Sequence, residues 1–443
     1  MKRFCVFFLA ALLLLPLCGC FLAPAEDLYA VPKQSDDISN LQEAIQKAMP
    51  TGAVYSPPTS GENQQAVQLV DLDGDSEDEA VVYLKTDGDL PLSLCVFDKC
   101  DGVYALVARI DGAGSAFDHA EYVQLDGIDG NEIVIGREIS GQVMQILNVY
   151  ALRGNTLAEL CCANYAEFIT ADLDADGLQD VLVLRDDGNT QNGIAEYYRW
   201  QGEQMQRERE VSLSTGVSAL KRIITGKMCQ GVPAVFAAAE YGEGSIITDI
   251  LAFRDGKFTN LCRSEEMDTS VETVRDYYVY SCDIDNDGLL ELPRLSAMPE
   301  LKNEESSRDR SLIYWYNLQL DGSEDTKLIT YHNYSGGWYL IVPQQLAEHL
   351  AVKRQGLLGG SMGYCFVRTD GTRNDELFSV VSLTGEGAQK TAQENGWQIL
   401  SQKGDTVYAC RMESGAQRHD ITFEDVENCF RFIHVEWKTG ETE

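Results

Sequence analysis

Three short acidic segments carry most of the chemistry that this 443-residue chain could perform. They read Asp71-Leu-Asp-Gly-Asp-Ser-Glu-Asp-Glu79, Asp172-Leu-Asp-Ala-Asp-Gly-Leu-Gln-Asp180 and Asp283-Ile-Asp-Asn-Asp-Gly-Leu-Leu-Glu291. Each places carboxylates at positions 1, 3, 5 and 9, and two of the three carry Gly at position 6, where a sharp turn is needed. Oxygens from alternate residues converging on one point suit a hard cation that takes six to eight oxygen ligands, which is calcium.

An EF-hand shares this opening but closes with a bidentate Glu at position 12 and lies between helices. Here position 12 is Val82, Val183 or Arg294. The first two segments also run into Ala80-Val-Val-Tyr-Leu84 and Val181-Leu-Val-Leu184, short apolar runs that predict buried strands. Strand–loop–strand is the expected context. In that context the chain resembles the FG-GAP/VCBS repeats of integrin-α-like β-propellers over residues 60 to 330, specifically at the three loops and weakly between them. The resemblance implies up to three Ca2+ sites. Asp71, Asp73, Asp75, Glu79 and the Glu77 carbonyl would form the first. Asp172, Asp174, Asp176, Asp180 and the Leu178 carbonyl would form the second, and Asp283, Asp285, Asp287, Glu291 and the Leu289 carbonyl the third. The first loop departs from the pattern, with Gly74 at position 4 and Ser76 at position 6.

The elements that must hold these loops follow from their spacing. Asp71, Asp172 and Asp283 lie just over a hundred residues apart, and a four-stranded blade takes about 40 to 50 residues. Each interval therefore holds two repeats. Tyr122 to Ile135 keeps the flanking strands but is one residue too short to align Asp126, Asp129 and Glu132, and Arg222 to Gly231 has no carboxylate. Those two turns are expected to be structural and metal-free. Hairpin signals at Leu94–Tyr104, Asn148–Gly154, Tyr197–Gly202, Ile250–Gly256 and Tyr314–Gly322 alternate with the five loops. The expected fold is mainly β: a β-propeller of about five four-stranded blades over 61–330, with a sixth left open, then a small α+β domain over 331–443.

The first 19 residues read as a secretory signal, with Lys2-Arg3, an apolar core from Phe4 to Leu17, and Leu17-Cys-Gly-Cys20. That run resembles a bacterial lipobox, which implies diacylglyceryl attachment at Cys20 and an exported protein anchored to the cell membrane, facing outside the cytoplasm. Residues 20–60 form a tether and a short helix, with Ile38, Leu41, Ile45 and Met49 at helical spacing before Pro50. Loss of Lys2 and Arg3 takes the net charge from −35 to −37, which argues against nucleic acid as a partner. Ten cysteines remain beyond Cys20, without zinc spacing, and those set among apolar residues predict buried free thiols.

The C-terminal stretch predicts strands at 336–343, 364–368, 377–383, 397–400 and 406–412. It also predicts a helix over 386–395 and a closing helix capped by Thr422 with Asp425. No catalytic motif stands out, since the five histidines form no metal pair and no nucleophile elbow or phosphate loop is present. The chain is expected not to be an enzyme but a surface module that binds a protein or glycan ligand. The alternative is an envelope enzyme acting on glycans or cell-wall polysaccharide.

Overall fold

The computed structural model describes residues 36–139, 145–264, 266–276, 279–301, 311–356 and 362–434. The expected signal segment and Cys20 lie outside the described residues. Among the described residues, six antiparallel sheets follow one another. Sheet I runs from Val54 to Gly112, sheet II from Ala116 to Tyr165, sheet III from Glu167 to Ser212 and sheet IV from Leu220 to Asn260. Sheets II, III and IV are four-stranded meanders in sequence order. In sheet I, Val54–Tyr55 and Val67–Val70 both pair with Glu79–Lys85. Sheet V takes four strands from Leu292 to Ile341 and a fifth from Phe430–Phe432, so it continues past residue 330, where the repeat signal fades. Sheet VI spans Leu350 to Met412, with Gln398–Lys403 at its edge.

The apolar runs explain why the sheets stack. Successive side chains of a strand point to opposite faces, so a continuous apolar run is stable only when both faces are covered. Val81 and Tyr83 enter the core between sheets I and II, while Ala80, Val82 and Leu84 face the other way. Ile133 and Ile135 share that first core, and Val134 turns to the core between II and III. Val181 and Val183 join it there, whereas Leu182 and Leu184 enter the core between III and IV. Val235 faces sheet III, and Ala234 and Phe236 pack toward Leu292 and Tyr316 of sheet V. A larger aromatic core, including Tyr331, Trp338 and Phe366, joins V to VI.

Helices cover the two ends of this series. The Asp36–Ala48 helix buries Leu41 and Ile45 on the outer face of sheet I, leaving Ile38 exposed. The Ala388–Glu394 helix sets Ala392 beside Val381, Trp397 and Ala409 on the outer face of sheet VI. The last helix, Phe423–Cys429, carries the expected capping box between Thr422 and Asp425. All ten cysteines beyond Cys20 are unpaired. Burial pushes the thiols of Cys365 and Cys410 up to about 11 and about 12, so they are inert packing groups.

Candidate metal centre

Each acidic loop joins an entering chain segment to the strand that follows it, an inner strand in sheets I and III and the edge strand in sheet V. The first lies between Val67–Val70 and Glu79–Lys85, and the second between Glu167–Ala171 and Asp180–Asp186. The third is closed at its base by the Cys282–Glu291 bridge and leads into Leu292–Ala297. Side-chain oxygens gather within 4.8 Å of one another in three groups: Asp71, Asp73 and Glu79; Asp172, Asp174 and Asp180; Asp283, Asp285 and Glu291. These are positions 1, 3 and 9.

A single hydrogen-bond scheme builds all three. The position 9 carboxylate reaches back to a backbone N–H inside the loop, which donates over 2.7 Å from Leu72 to Glu79, 2.9 Å from Leu173 to Asp180 and 3.0 Å from Ile284 to Glu291. The position 1 carboxylate spans the turn, accepting for example from Asp287 and Gly288 N–H on the two oxygens of Asp283. The position 5 carboxylates, Asp75, Asp176 and Asp287, accept from the N–H of Glu77, Leu178 and Leu289. They are therefore held within the same turns as the expected carbonyl ligands, outside the three-residue groups.

Backbone conformation accounts for the unusual first loop. Positions 4 and 6 are left-handed in all three loops: Gly74 and Ser76, Ala175 and Gly177, Asn286 and Gly288. The loop needs two such positions, and the first segment gives its glycine to the other one.

Electrostatics separate the sites. Glu79 and Glu291 are fully buried, and the Oε1 atom of each has no partner. Leaving a carboxylate oxygen buried and unpaired is expensive, and a cation would remove that penalty. Burial, reinforced by the neighbouring carboxylates, pushes Glu79 up to about 7 and Glu291 up to about 8. In the second loop burial likewise pushes Asp180 up to about 7, but its second oxygen accepts from the Tyr197 hydroxyl over 2.9 Å. The Arg199 guanidinium lies 3.3 Å from Asp174. The donor sets at the first and third loops fit a hard dication, and the second fits one partly neutralised already.

In the corresponding turn of sheet II, which is expected to bind no metal, a side-chain cation meets the carboxylates. Leu125 N–H donates to Glu132 over 2.8 Å, which is the position 9 contact of the acidic loops. Arg153, from the following hairpin, pairs with buried Asp126 and lies 3.6 Å from Glu132. The guanidinium thus occupies the carboxylate cluster as a fixed positive charge. Sequence spacing identified the short loop but not Arg153, Arg199 or Tyr197, which come from other strands and hairpins. The one local signal is that Arg153 immediately precedes the hairpin Gly154.

The turns are stitched along one rim. Asn131 donates from its backbone and side chain to the Asp71 carbonyl, Gln179 N–H to the Gln124 carbonyl, and Leu290 N–H to the Lys227 carbonyl. A side chain at Gly130 would meet the Leu72 carbonyl at 2.5 Å, so the first two loops touch backbone to backbone.

No protein-family model matches the chain, and no curated protein matches it by sequence. Among solved structures it is similar to the exotype rhamnogalacturonan lyase YesX, at 12% identity and a TM-score of 0.33, covering 77% of this chain and 68% of that one. It is also similar to the rhamnogalacturonan lyase YesW, at 12% identity and a TM-score of 0.30, covering 72% of this chain and 68% of the other. Both neighbours are named as enzymes, and on that finding the expectation that this chain is not an enzyme is corrected. A likeness at this level assigns no reaction and no catalytic residue to it.

Proposed function

We propose that this chain is a calcium-loaded, lipid-anchored envelope protein whose repeated sheets form an FG-GAP/VCBS-like array that handles glycans. The observation that carries the calcium reading is the recurrence of one carboxylate cluster on the same turn of sheets I, III and V, with an orphan buried oxygen at Glu79 and Glu291. Calcium at each cluster would be held by the carboxylates at positions 1, 3 and 9. The remaining oxygens would come from Asp75, Asp176 and Asp287 and from the Glu77, Leu178 and Leu289 carbonyls. The ion supplies charge neutralisation and rigidity.

Sheets I to V make about five propeller-like blades in this reading. The Asp36–Ala48 helix takes the face of sheet I on which a closing blade would pack. A role directed at glycans is favoured over adhesion by a cavity of about 720 Å³ between sheets IV and V, lined by charged and hydroxyl groups. Concave polar sites of that size take small ligands, whereas protein partners use broad surfaces. The lipobox-like run supports the reading of a membrane anchor at Cys20.

Binding and turnover of cell-envelope glycans by the calcium-loaded chain test the glycan role. Saturable binding or cleavage is expected, and inertness toward every glycan in the panel would overturn it. Cys20→Ser should release the protein from membranes or leave it as precursor. A processed variant that still sediments with membrane would contradict the anchor.

A further inference from the structure

The cavity between sheets IV and V lies at the end of the sheets remote from the acidic loops. It is bounded by the Tyr241–Ser245 turn and by the strands that carry Arg294 and His332. Two side chains on its wall are anomalous. Arg275 is only 4% exposed, yet among the described residues no carboxylate pairs with it. Its Nε donates to the Val279 carbonyl, and its Nη1 donates to Thr248 Oγ1 and the Thr273 carbonyl, both over 3.0 Å. These acceptors are neutral, and Nη2 has no partner. His332 is 7% exposed with both ring nitrogens unpartnered, its ring stacked on Tyr339.

A guanidinium out of water with no counter-charge is strongly unfavourable, and structures rarely tolerate one without an anion. The other cation on the wall is already engaged. Arg294 makes two 2.5 Å contacts to Glu324 and lies over the Tyr316 ring. The acidic lining groups, Asp276 and Glu243, are exposed and so stand on the solvent side. The deep wall therefore holds one uncompensated positive charge, the two unpartnered N–H groups of Nη2 and an imidazole.

We propose that this cavity is a binding site for a small carboxylate, seated on the Nη2 of Arg275 with His332 as second partner. Within the glycan reading, on which this step rests for the rest of the ligand, that carboxylate belongs to a sugar acid. One charge matches a monoanion. Burial holds His332 down to about 3, so its imidazole is neutral and adds no second charge that a phosphate dianion would need. The neutral ring can still donate one hydrogen bond, or accept one from a sugar hydroxyl.

The test is calorimetric titration of the calcium-loaded chain with glucuronate, glucose and inorganic phosphate. Glucuronate is expected to bind saturably and more tightly than either comparator. Arg275→Gln should weaken glucuronate by about tenfold or more, as for loss of a charged hydrogen bond. Arg275 also braces the backbone, so His332→Phe serves as the second variant: it keeps the stacked ring, removes the nitrogens and should weaken glucuronate while leaving the calcium stoichiometry unchanged. Glucose binding as tightly as glucuronate would overturn the carboxylate assignment while leaving the glycan reading intact. Tighter phosphate, or unchanged glucuronate binding in both variants, would also overturn it. No binding of glucuronate or of any envelope glycan would remove both.

Discussion

Gly74 and Gly177 occupy different positions of equivalent loops, and the surroundings of each set what a side chain there would do. Gly177 has φ +95° and open space where a Cβ would stand, so Gly177→Ala adds only backbone strain, about 1 kcal/mol. At Gly74, with φ +80°, a Cβ would lie 2.6 Å from the Asp129 backbone carbon. Gly74→Ala should therefore cost clearly more, because it also separates the first two turns. Melting curves in chelator rank the two variants, and equal losses would contradict the packed rim. Residue identities made the acidic positions legible from sequence, since a 1, 3, 5, 9 pattern of carboxylates is contiguous. Arg153 and Arg199 were not legible, because each approaches its carboxylates from a strand or hairpin more than twenty residues on. For the same reason Arg275 and His332, 57 residues apart, give no signal until sheets IV and V are stacked.

Elements repeat the same lesson with packing in place of charge. Ala80–Leu84 and Val181–Leu184 read directly as strands buried on both faces, and the structure divides their alternate residues between two cores. The helical stripe before Pro50 was equally plain, although only Leu41 and Ile45 of its four residues are buried. Ile45 is 2% exposed against Val82 and Phe97, so Ile45→Ala should destabilise by about 2 to 5 kcal/mol. Denaturant unfolding measures this, and a loss below about 1 kcal/mol would show the helix to be loosely held.

In sheet VI, Asp375 accepts from Arg418 at 2.5 Å, His419 at 2.9 Å and Arg373 at 3.0 Å. These contacts, the His419 bond foremost, hold its carboxyl down to about 2. A carboxylate depressed on folding stabilises above its unfolded value near 3.9, and that contribution is lost as pH falls toward about 2. The stability difference between wild type and Asp375→Asn should therefore be largest above about pH 4 and shrink on acidification. A difference that grows as pH falls would contradict the ion cluster.

Across the whole molecule, the acidic loops, the stitched rim and the stacked cores converge on one expectation: the native state is completed by cations. The chain carries a net charge of −35, and its most buried uncompensated carboxylates sit where calcium would bind. At free calcium tenfold above a site's dissociation constant, mass action adds roughly 1.4 kcal/mol per site, or about 4 kcal/mol for three. That is a large share of the roughly 5 to 15 kcal/mol typical of a folded domain. The second loop should be the weakest, because Arg199 and Tyr197 already serve two of its carboxylates. Magnesium should replace calcium poorly, since it demands a smaller octahedral shell and releases water reluctantly.

Calorimetric titration of the full chain with calcium, alongside melting curves in calcium and in EDTA, tests this most directly. The expected result is a stoichiometry near three, a higher melting temperature in calcium, and a fall to two sites in Glu291→Gln with little change to its melting in EDTA. Absence of binding heat together with identical melting curves would contradict the calcium centres.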